Sequence, residues 1–120
     1  MSKCILVVED QKDNRQILRD LLTNAGFEMI EAENGEDAVA SAQARRPDLI
    51  LMDIQLPILD GYEATRRIKA DPDLKSIPII VVTSYALSGD EDKARLAGCD
   101  DYVAKPFSPR QLLAKIKEYV

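Results

Sequence analysis

The stretch PDLILMDIQLPILDG, from Pro47 to Gly61, runs from a continuous apolar segment straight into a carboxylate. Residues 49–52 contain no polar side chain, which is typical of a strand that is buried on both faces of a parallel sheet. The run ends at Asp53, although ionised carboxylates are rarely buried without a partner. This combination indicates a polar site at the carboxyl edge of an α/β sheet.

The rest of the chain repeats the alternation of short apolar runs and segments with helical spacing. The pattern predicts strands at residues 5–8, 27–32, 49–53, 79–83 and 101–104. It predicts helices at residues 13–25, 36–45, 61–70, about 89–97 and 109–119. Because these elements alternate with short connections, we expect a single α/β domain over residues 1–120, with a parallel sheet covered on both faces.

The first predicted helix has a clear beginning, end and apolar face. Asp13 is the expected N-cap, and Gly26 is the expected stop. Five apolar residues are expected to face the sheet, namely Ile17, Leu18, Leu21, Leu22 and Ala25.

Composition excludes several classes of function. The formal net charge of −5 argues against general binding to nucleic acid or to an anionic membrane surface. No apolar run approaches the roughly 20 residues of a membrane span, so a cytosolic location is expected. The chain has no histidine, which excludes histidine-based triads, imidazole metal ligands and a phosphohistidine donor. Cys4 and Cys99 lack metal-ligand or redox spacing, so both are expected to be reduced thiols.

Charged and hydroxyl side chains come directly after the apolar runs of four of the five predicted strands. These residues are Glu9 and Asp10, Asp53, Thr83 and Ser84, and Lys105, which is followed by Pro106. The carboxyl ends of parallel strands share one edge, so we expect these groups to converge there. Oxygen ligands without nearby histidine or cysteine suit a hard divalent ion, and a solvent-accessible edge suits Mg²⁺.

Taken singly, each of these residues has a structural alternative. Asp10 fits a helix cap, Asp53 fits a turn, and Lys105 fits an ordinary solvated lysine. Thr83 fits a strand, where threonine is common. Their joint placement at successive strand ends favours the functional interpretation.

The strand-end residues, together with MDIQLPILDG (residues 52–61) and GCDDYVAKPF (residues 98–107), closely resemble the receiver domain of two-component response regulators. The resemblance covers residues 3–120, and it is greatest to single-domain receivers such as chemotaxis and cell-cycle regulators. It implies a flavodoxin-like sheet of strand order 2-1-3-4-5. It also implies transfer of a phosphoryl group onto Asp53 from a sensor histidine kinase or a histidine phosphotransfer protein. Such a protein signals and is not a conventional enzyme.

The resemblance also implies roles for the other strand-end residues. Asp10 and Asp53 would bind Mg²⁺ directly, the main-chain carbonyl of Gln55 would be a further ligand, and Glu9 would act mainly through water. Lys105 and the hydroxyl of Thr83 would bind phosphoryl oxygens. The small residue Ser84 would leave access to Asp53 open.

A conformational switch and its modulators are implied in the same way. Thr83 and the aromatic side chain of Tyr102 would move on phosphorylation, changing a partner surface around the fourth helix, fifth strand and fifth helix. The Lys105–Pro106 bond would be cis. Gln55 and Tyr85 would set the lifetime of the phosphorylated state. The downstream protein partner is not identified by the sequence, and a monomer or a weak phosphorylation-dependent dimer is expected.

Other proteins that share parts of this pattern fit less well. A flavin mononucleotide protein needs a Ser/Thr/Gly-rich phosphate loop where residues 9–13 are mostly charged. A haloacid-dehalogenase-like phosphatase expects a second aspartate at the position of Gln55, and no P-loop motif is present. Two alternatives stay open. One is a receiver module of a longer hybrid kinase or transcription factor, although the start at Met1 argues against a C-terminal module. The other is a binding module that does not use phosphorylation.

Overall fold

The apolar runs form a parallel sheet in the computed structural model, which describes residues 2–83 and 90–120. The strands are β1 (Cys4–Val8), β2 (Glu28–Ala32), β3 (Leu49–Asp53), β4 (Ile79–Thr83) and β5 (Asp101–Ala104). They lie in the order β2-β1-β3-β4-β5, and every neighbouring pair is parallel. The predicted flavodoxin-like sheet of order 2-1-3-4-5 is therefore confirmed.

The helices pack against both faces of the sheet. They are α1 (Lys12–Asn24), α2 (Gly35–Arg45), α3 (Gly61–Ala70), α4 (Asp90–Ala97) and α5 (Pro109–Tyr119). One core layer contains buried residues of α1 and α5, such as Leu22 and Leu112, and the other contains residues of α2, α3 and α4, such as Ala64. The predicted start of the fourth helix at Gly89 lies outside the described residues. Within the described part of the chain, no helix has the length and apolar character needed to span a bilayer.

Helix α1 differs from its prediction at two points. Its N-cap is Gln11, whose side chain makes no capping hydrogen bond, so the prediction that Asp13 caps the helix is wrong. Asp13 lies in the first turn, where a carboxylate is still favourable beside the positive end of the helix dipole. Ile17 was expected to face the sheet, but 62% of its surface is exposed. The buried face carries Arg15 and Leu22, seven positions apart, and this spacing turns Ile17 away from the core.

Side-chain caps define the beginnings of three other helices. Asn34 caps α2 by accepting a hydrogen bond from the Asp37 amide at 2.8 Å. Asp60 caps α3 in the same way, accepting from the Glu63 amide at 2.9 Å. Ser108 forms a capping box at α5. These caps explain why the starts of α3 and α5 coincide with the sequence prediction.

The two cysteines are free thiols, as expected. Burial, with a smaller contribution from Asp100, raises the pKa of the Cys99 thiol to about 11. Burial likewise raises the pKa of Cys4. Both groups are therefore protonated near neutral pH and are poor nucleophiles.

The side chain of Lys69 connects three segments of the chain at the amino edge of the sheet. The Lys69 ammonium donates to the carbonyls of Lys75 at 3.0 Å and Ile77 at 2.8 Å, and to Asp100 Oδ2 at 2.7 Å. The same Asp100 oxygen accepts a hydrogen bond from the Ile79 amide at 2.8 Å. The end of α3, the start of β4 and the segment before β5 are thereby connected through one ion pair.

Tyr119 connects α5 to the beginning of β5. Its hydroxyl donates to the Asp100 carbonyl at 3.0 Å and to Asp101 Oδ2 at 3.1 Å, while Lys115 Nζ lies 3.2 Å from Asp101 Oδ1. Burial and the hydrogen bond to Asp101 raise the pKa of Tyr119 to about 12, against an ordinary value of 10.0. Because the folded state holds the phenolic proton more tightly, this contribution to stability is fully present below about pH 10.

We expect the Tyr119→Phe protein to be less stable than wild type by about 1 kcal/mol near neutral pH, because the hydroxyl and its hydrogen bonds are lost. The difference should shrink as pH rises from about 10 towards about 12, since only the wild type then loses its phenolic proton. Urea unfolding at a series of pH values measures both quantities. A stability difference that stays constant through this range would contradict the assigned hydrogen bonds.

Candidate acidic site at the carboxyl edge

Three carboxylates converge at the carboxyl edge of the sheet. Glu9 follows β1, Asp10 comes next where the chain bends, and Asp53 is the last residue of β3. Each offers one oxygen, and these oxygens all lie within 4.8 Å of one another. β1 and β3 are adjacent and parallel, with Val8 opposite Met52, so both strands deliver their next residue to the same point.

Lys105 supplies one positive charge to this cluster. Its Nζ lies 3.2 Å from Asp53 Oδ2 and 3.3 Å from Glu9 Oε1. Burial by itself lowers the pKa of Lys105, but the charges of Asp53 and Glu9 outweigh that effect and leave the pKa above its ordinary value. Lys105 is therefore a cation throughout the physiological range. Three carboxylates against one ammonium leave an excess of two negative charges, which favours a bound cation.

Glu9 is the most buried of the three acidic residues, with 3% of its surface exposed. Its carboxylate accepts hydrogen bonds from Asn14 Nδ2 at 2.9 Å and from the Gln11 amide at 3.4 Å, in addition to its contact with Lys105. Its main-chain carbonyl accepts from Arg15 Nη1 at 2.9 Å. Sequence reasoning missed both Asn14 and Arg15. The spacing of Arg15 from Leu22 on the buried face of α1 was the available signal.

Asp53 is held by the turn that leads into α3. The Gln55 amide donates to Asp53 Oδ1 at 3.2 Å, and the Gly61 amide donates to the Ile54 carbonyl at 2.9 Å. A β-carbon on Gly61 would lie 2.1 Å from the Asp53 carbonyl oxygen and 2.8 Å from the Ile54 α-carbon. Only glycine therefore allows α3 to begin this close to the end of β3.

Of the remaining predicted site residues, the structure describes Thr83, Tyr102 and Pro106. Thr83 ends β4 and pairs with Ala104, the residue before Lys105. Tyr102 is half-buried in β5 and packs against the core layer of α2, α3 and α4. The Lys105–Pro106 bond is cis, the isomer that the resemblance implied. Ser84 and Tyr85 lie outside the described residues.

A cavity of about 580 Å³ adjoins the acidic cluster. Its apolar wall comes from the sheet, from α1 and from the segment that leads into α5, including Leu51, Leu18 and Phe107 respectively. Asp53 and Lys105 line its polar end. The exposed side chain of Ile17 also contributes to this wall. An apolar surface thus leads directly to the charged groups.

The donor set of the cluster fits a hard divalent cation. Carboxylate and carbonyl oxygens are the ligands that Mg²⁺ prefers, and histidine and cysteine are absent from the cluster. Asp10 and Asp53 are both half-buried and keep access to solvent, as an ion that retains several waters requires. The residues present therefore suit Mg²⁺.

Comparison with known proteins agrees with this geometry. A family model of the response regulator receiver domain matches residues 5–117. The polar-differentiation response regulator DivK of Brucella anthropi is 44% identical over 120 residues, which cover 100% of this chain and 98% of that protein.

Solved structures with the same fold include receivers from Pseudomonas aeruginosa and Vibrio cholerae. The receiver domain of the sensor histidine kinase PA1611 from Pseudomonas aeruginosa, determined with a magnesium ion coordinated in its active-site cleft, has a TM-score of 0.93 at 39% identity, covering 99% of this chain and 98% of that chain. The chemotaxis response regulator CheY4 of Vibrio cholerae has a TM-score of 0.93 at 28% identity and covers both chains completely, at 100%. This chain belongs to the family of response regulator receiver domains of two-component signalling.

Proposed function

We propose that this domain accepts a phosphoryl group on Asp53 from a phosphohistidine of a sensor histidine kinase or a histidine phosphotransfer protein, in a reaction that depends on Mg²⁺. The observation that carries the proposal is the position of the Asp53 carboxylate, which ends a buried strand and lies 3.2 Å from the Lys105 ammonium among two other carboxylates. A carboxylate placed in this way can act as a nucleophile.

In the proposed transfer, an Asp53 carboxylate oxygen attacks the phosphorus atom of the phosphohistidine. A phosphorus–oxygen bond forms as the phosphorus–nitrogen bond breaks, and the imidazole leaves with the electron pair and takes up a proton. Little covalent chemistry is required of the other residues. Their task is to position the two partners and to neutralise charge on the phosphoryl oxygens.

Mg²⁺, when bound, would offset the negative charge of the carboxylates and of the transferred phosphoryl group. Asp10, Asp53 and the main-chain carbonyl of Gln55 would hold the ion, with Glu9 contributing mainly through water. The excess of two negative charges in the cluster supports this assignment.

Lys105 would then exchange its contact with Asp53 for a phosphoryl oxygen, and the hydroxyl of Thr83 would bind another. The pKa of Lys105 is raised, so its side chain carries the positive charge that the contact with a phosphoryl oxygen needs. Movement of Thr83 and Tyr102 would transmit the change to the surface of α4, β5 and α5. Gln55 and Tyr85 would set the rate at which the phosphoryl group is lost.

The cavity beside the cluster supports docking of the phosphohistidine protein at the α1 and α5 side. Its apolar wall, which includes Ile17 and Phe107, leads to Asp53 and Lys105. An apolar face of a partner helix can cover this wall while its phosphohistidine reaches Asp53. Nucleic acid and membrane surfaces are not expected partners, because the chain carries a net charge of −5.

Intact mass spectrometry after incubation with a small phosphodonor tests the proposal. We expect one phosphoryl adduct in the presence of Mg²⁺, and its loss when a chelator removes the metal. The adduct should be released by hydroxylamine, because an acyl phosphate reacts with this nucleophile and a phosphate ester of serine or threonine does not. A folded protein that forms no adduct with either a small donor or a kinase would instead be a binding module that does not use phosphorylation.

A further inference from the structure

We infer that Arg15 is a positioning residue for the acidic site, an inference that rests on the proposed phosphoacceptor function. Arg15 lies in α1 with only 9% of its surface exposed, and its Nη1 donates to the main-chain carbonyl of Glu9 at 2.9 Å. Arginine is seldom buried without a specific partner. The partner here is the peptide group that joins Glu9 to Asp10.

The orientation of this peptide group decides where two of the three carboxylates lie. In an extended chain, successive side chains point to opposite faces. Glu9 and Asp10 nevertheless both place a carboxylate oxygen within 4.8 Å of Asp53, because the chain bends at Asp10. The Glu9 amide is fixed by the Ala32 carbonyl at 3.0 Å, and Arg15 fixes the following carbonyl. Peptide groups are planar, so both bonds together set the direction of the chain into Asp10.

The charge of Arg15 is matched away from the acidic cluster. Its Nε lies 3.3 Å from Glu31 and its Nη2 lies 3.1 Å from Glu33. The guanidinium offers several donors in one rigid plane, so it can serve both carboxylates and the Glu9 carbonyl together. It thus reaches the site as a hydrogen-bond donor without offsetting the negative charge that favours a cation.

Arg19 provides a matched comparison on the same helix. Its guanidinium pairs with Glu31, one of the two carboxylates that Arg15 contacts, through one ion pair that is also a hydrogen bond. Replacing either arginine with methionine removes one positive charge from α1 and one ion pair with Glu31 in β2. The ion pair with Glu33 and the contact with the Glu9 carbonyl are lost only with Arg15.

Mg²⁺ titration followed by amide NMR shifts of Gln11 and Gln55 separates the two variants. We expect Arg15→Met to weaken Mg²⁺ binding by roughly tenfold, as loss of a group that orients metal ligands does. Arg19→Met should stay within about twofold of wild type, as an exposed ion pair contributes little. Urea unfolding of both proteins checks that the difference in metal affinity does not follow a difference in global stability.

Equal Mg²⁺ affinity in the Arg15→Met and Arg19→Met proteins, with a wild type that binds the ion, would overturn the inference. A wild type that binds no Mg²⁺ and forms no phosphoryl adduct would overturn the proposed function itself. Should circular dichroism show that Arg15→Met is unfolded, Arg15→Lys takes its place. The single ammonium of lysine cannot hold the Glu9 carbonyl and both carboxylates, so we expect the Mg²⁺ affinity of Arg15→Lys to fall by about threefold. Wild-type Mg²⁺ affinity in this variant would contradict positioning by Arg15.

Discussion

Replacing Asp53 with asparagine should abolish the phosphoryl adduct, a loss of at least about a hundredfold in the rate of adduct formation, because an amide oxygen is a far weaker nucleophile than a carboxylate. The fold should persist. Asp53 is one of three clustered carboxylates, so removing its charge relieves repulsion while Lys105 keeps its contact with Glu9 at 3.3 Å. We therefore expect the variant to be at least as stable as the metal-free wild type.

The Asp53→Asn protein should also differ from wild type in its response to Mg²⁺. Mg²⁺ should raise the unfolding temperature of the wild type by mass action and should raise that of Asp53→Asn much less, since one ligand has lost its charge. The matched control is Asp60→Asn, which changes charge equally and keeps a good cap for α3. It should form the adduct normally. An Asp53→Asn protein that still takes up one phosphoryl group would show that another residue is the acceptor.

Replacing Gly61 with alanine should strongly reduce the stability of the fold. The new β-carbon would lie 2.1 Å from the Asp53 carbonyl oxygen and 2.8 Å from the Ile54 α-carbon, and main-chain atoms cannot move aside as a side chain can. We expect a loss of about 3 kcal/mol or more in the free energy of unfolding, at the upper end for overpacking of a buried site. Urea unfolding measures this loss directly.

Gly26→Ala is the control for the conformational freedom of glycine. Gly26 has a φ of +91°, but a β-carbon there would meet no atom within 4 Å. The Gly26→Ala substitution should lower the free energy of unfolding by only about 1–2 kcal/mol, the penalty for a left-handed backbone conformation. The Gly61→Ala protein, if it folds, should also bind Mg²⁺ more weakly because Asp53 is displaced. Equal losses of stability in the two variants would contradict a steric role for Gly61.

Much of the fold could be predicted because strong local signals agree with the global arrangement. The bounds of β3, β4 and β5 match the predicted residues 49–53, 79–83 and 101–104. For β3 and β4 the signal is a continuous apolar run, which has few other uses in a covered sheet. Helices α3 and α5 begin where predicted, at Gly61 and Pro109. The second strand begins at Glu28, one residue later than predicted, because Phe27 bonds back to Leu22 at the end of α1.

The convergence of Glu9, Asp10, Asp53 and Lys105 could be predicted from topology, because parallel strands bring their ends to one edge. The support for these residues could not be predicted in the same way. Apolar periodicity treats arginine as a surface residue, so it placed Ile17 inside and overlooked Arg15. The need for Gly61 arises from the distance between two main-chain segments, which no local pattern encodes.

The ion pair of Lys69 with Asp100 has a consequence for how sequences of this kind can diverge. It connects α3, β4 and the segment before β5 at the amino edge, the opposite end of the strands from the acidic cluster. A stabilising ion pair thus lies at one end of the sheet, and the mutually repelling carboxylates lie at the other. Substitutions that strengthen the amino edge can accumulate without altering Asp53, so selection can change the stability of the fold and the chemistry of the acidic cluster separately.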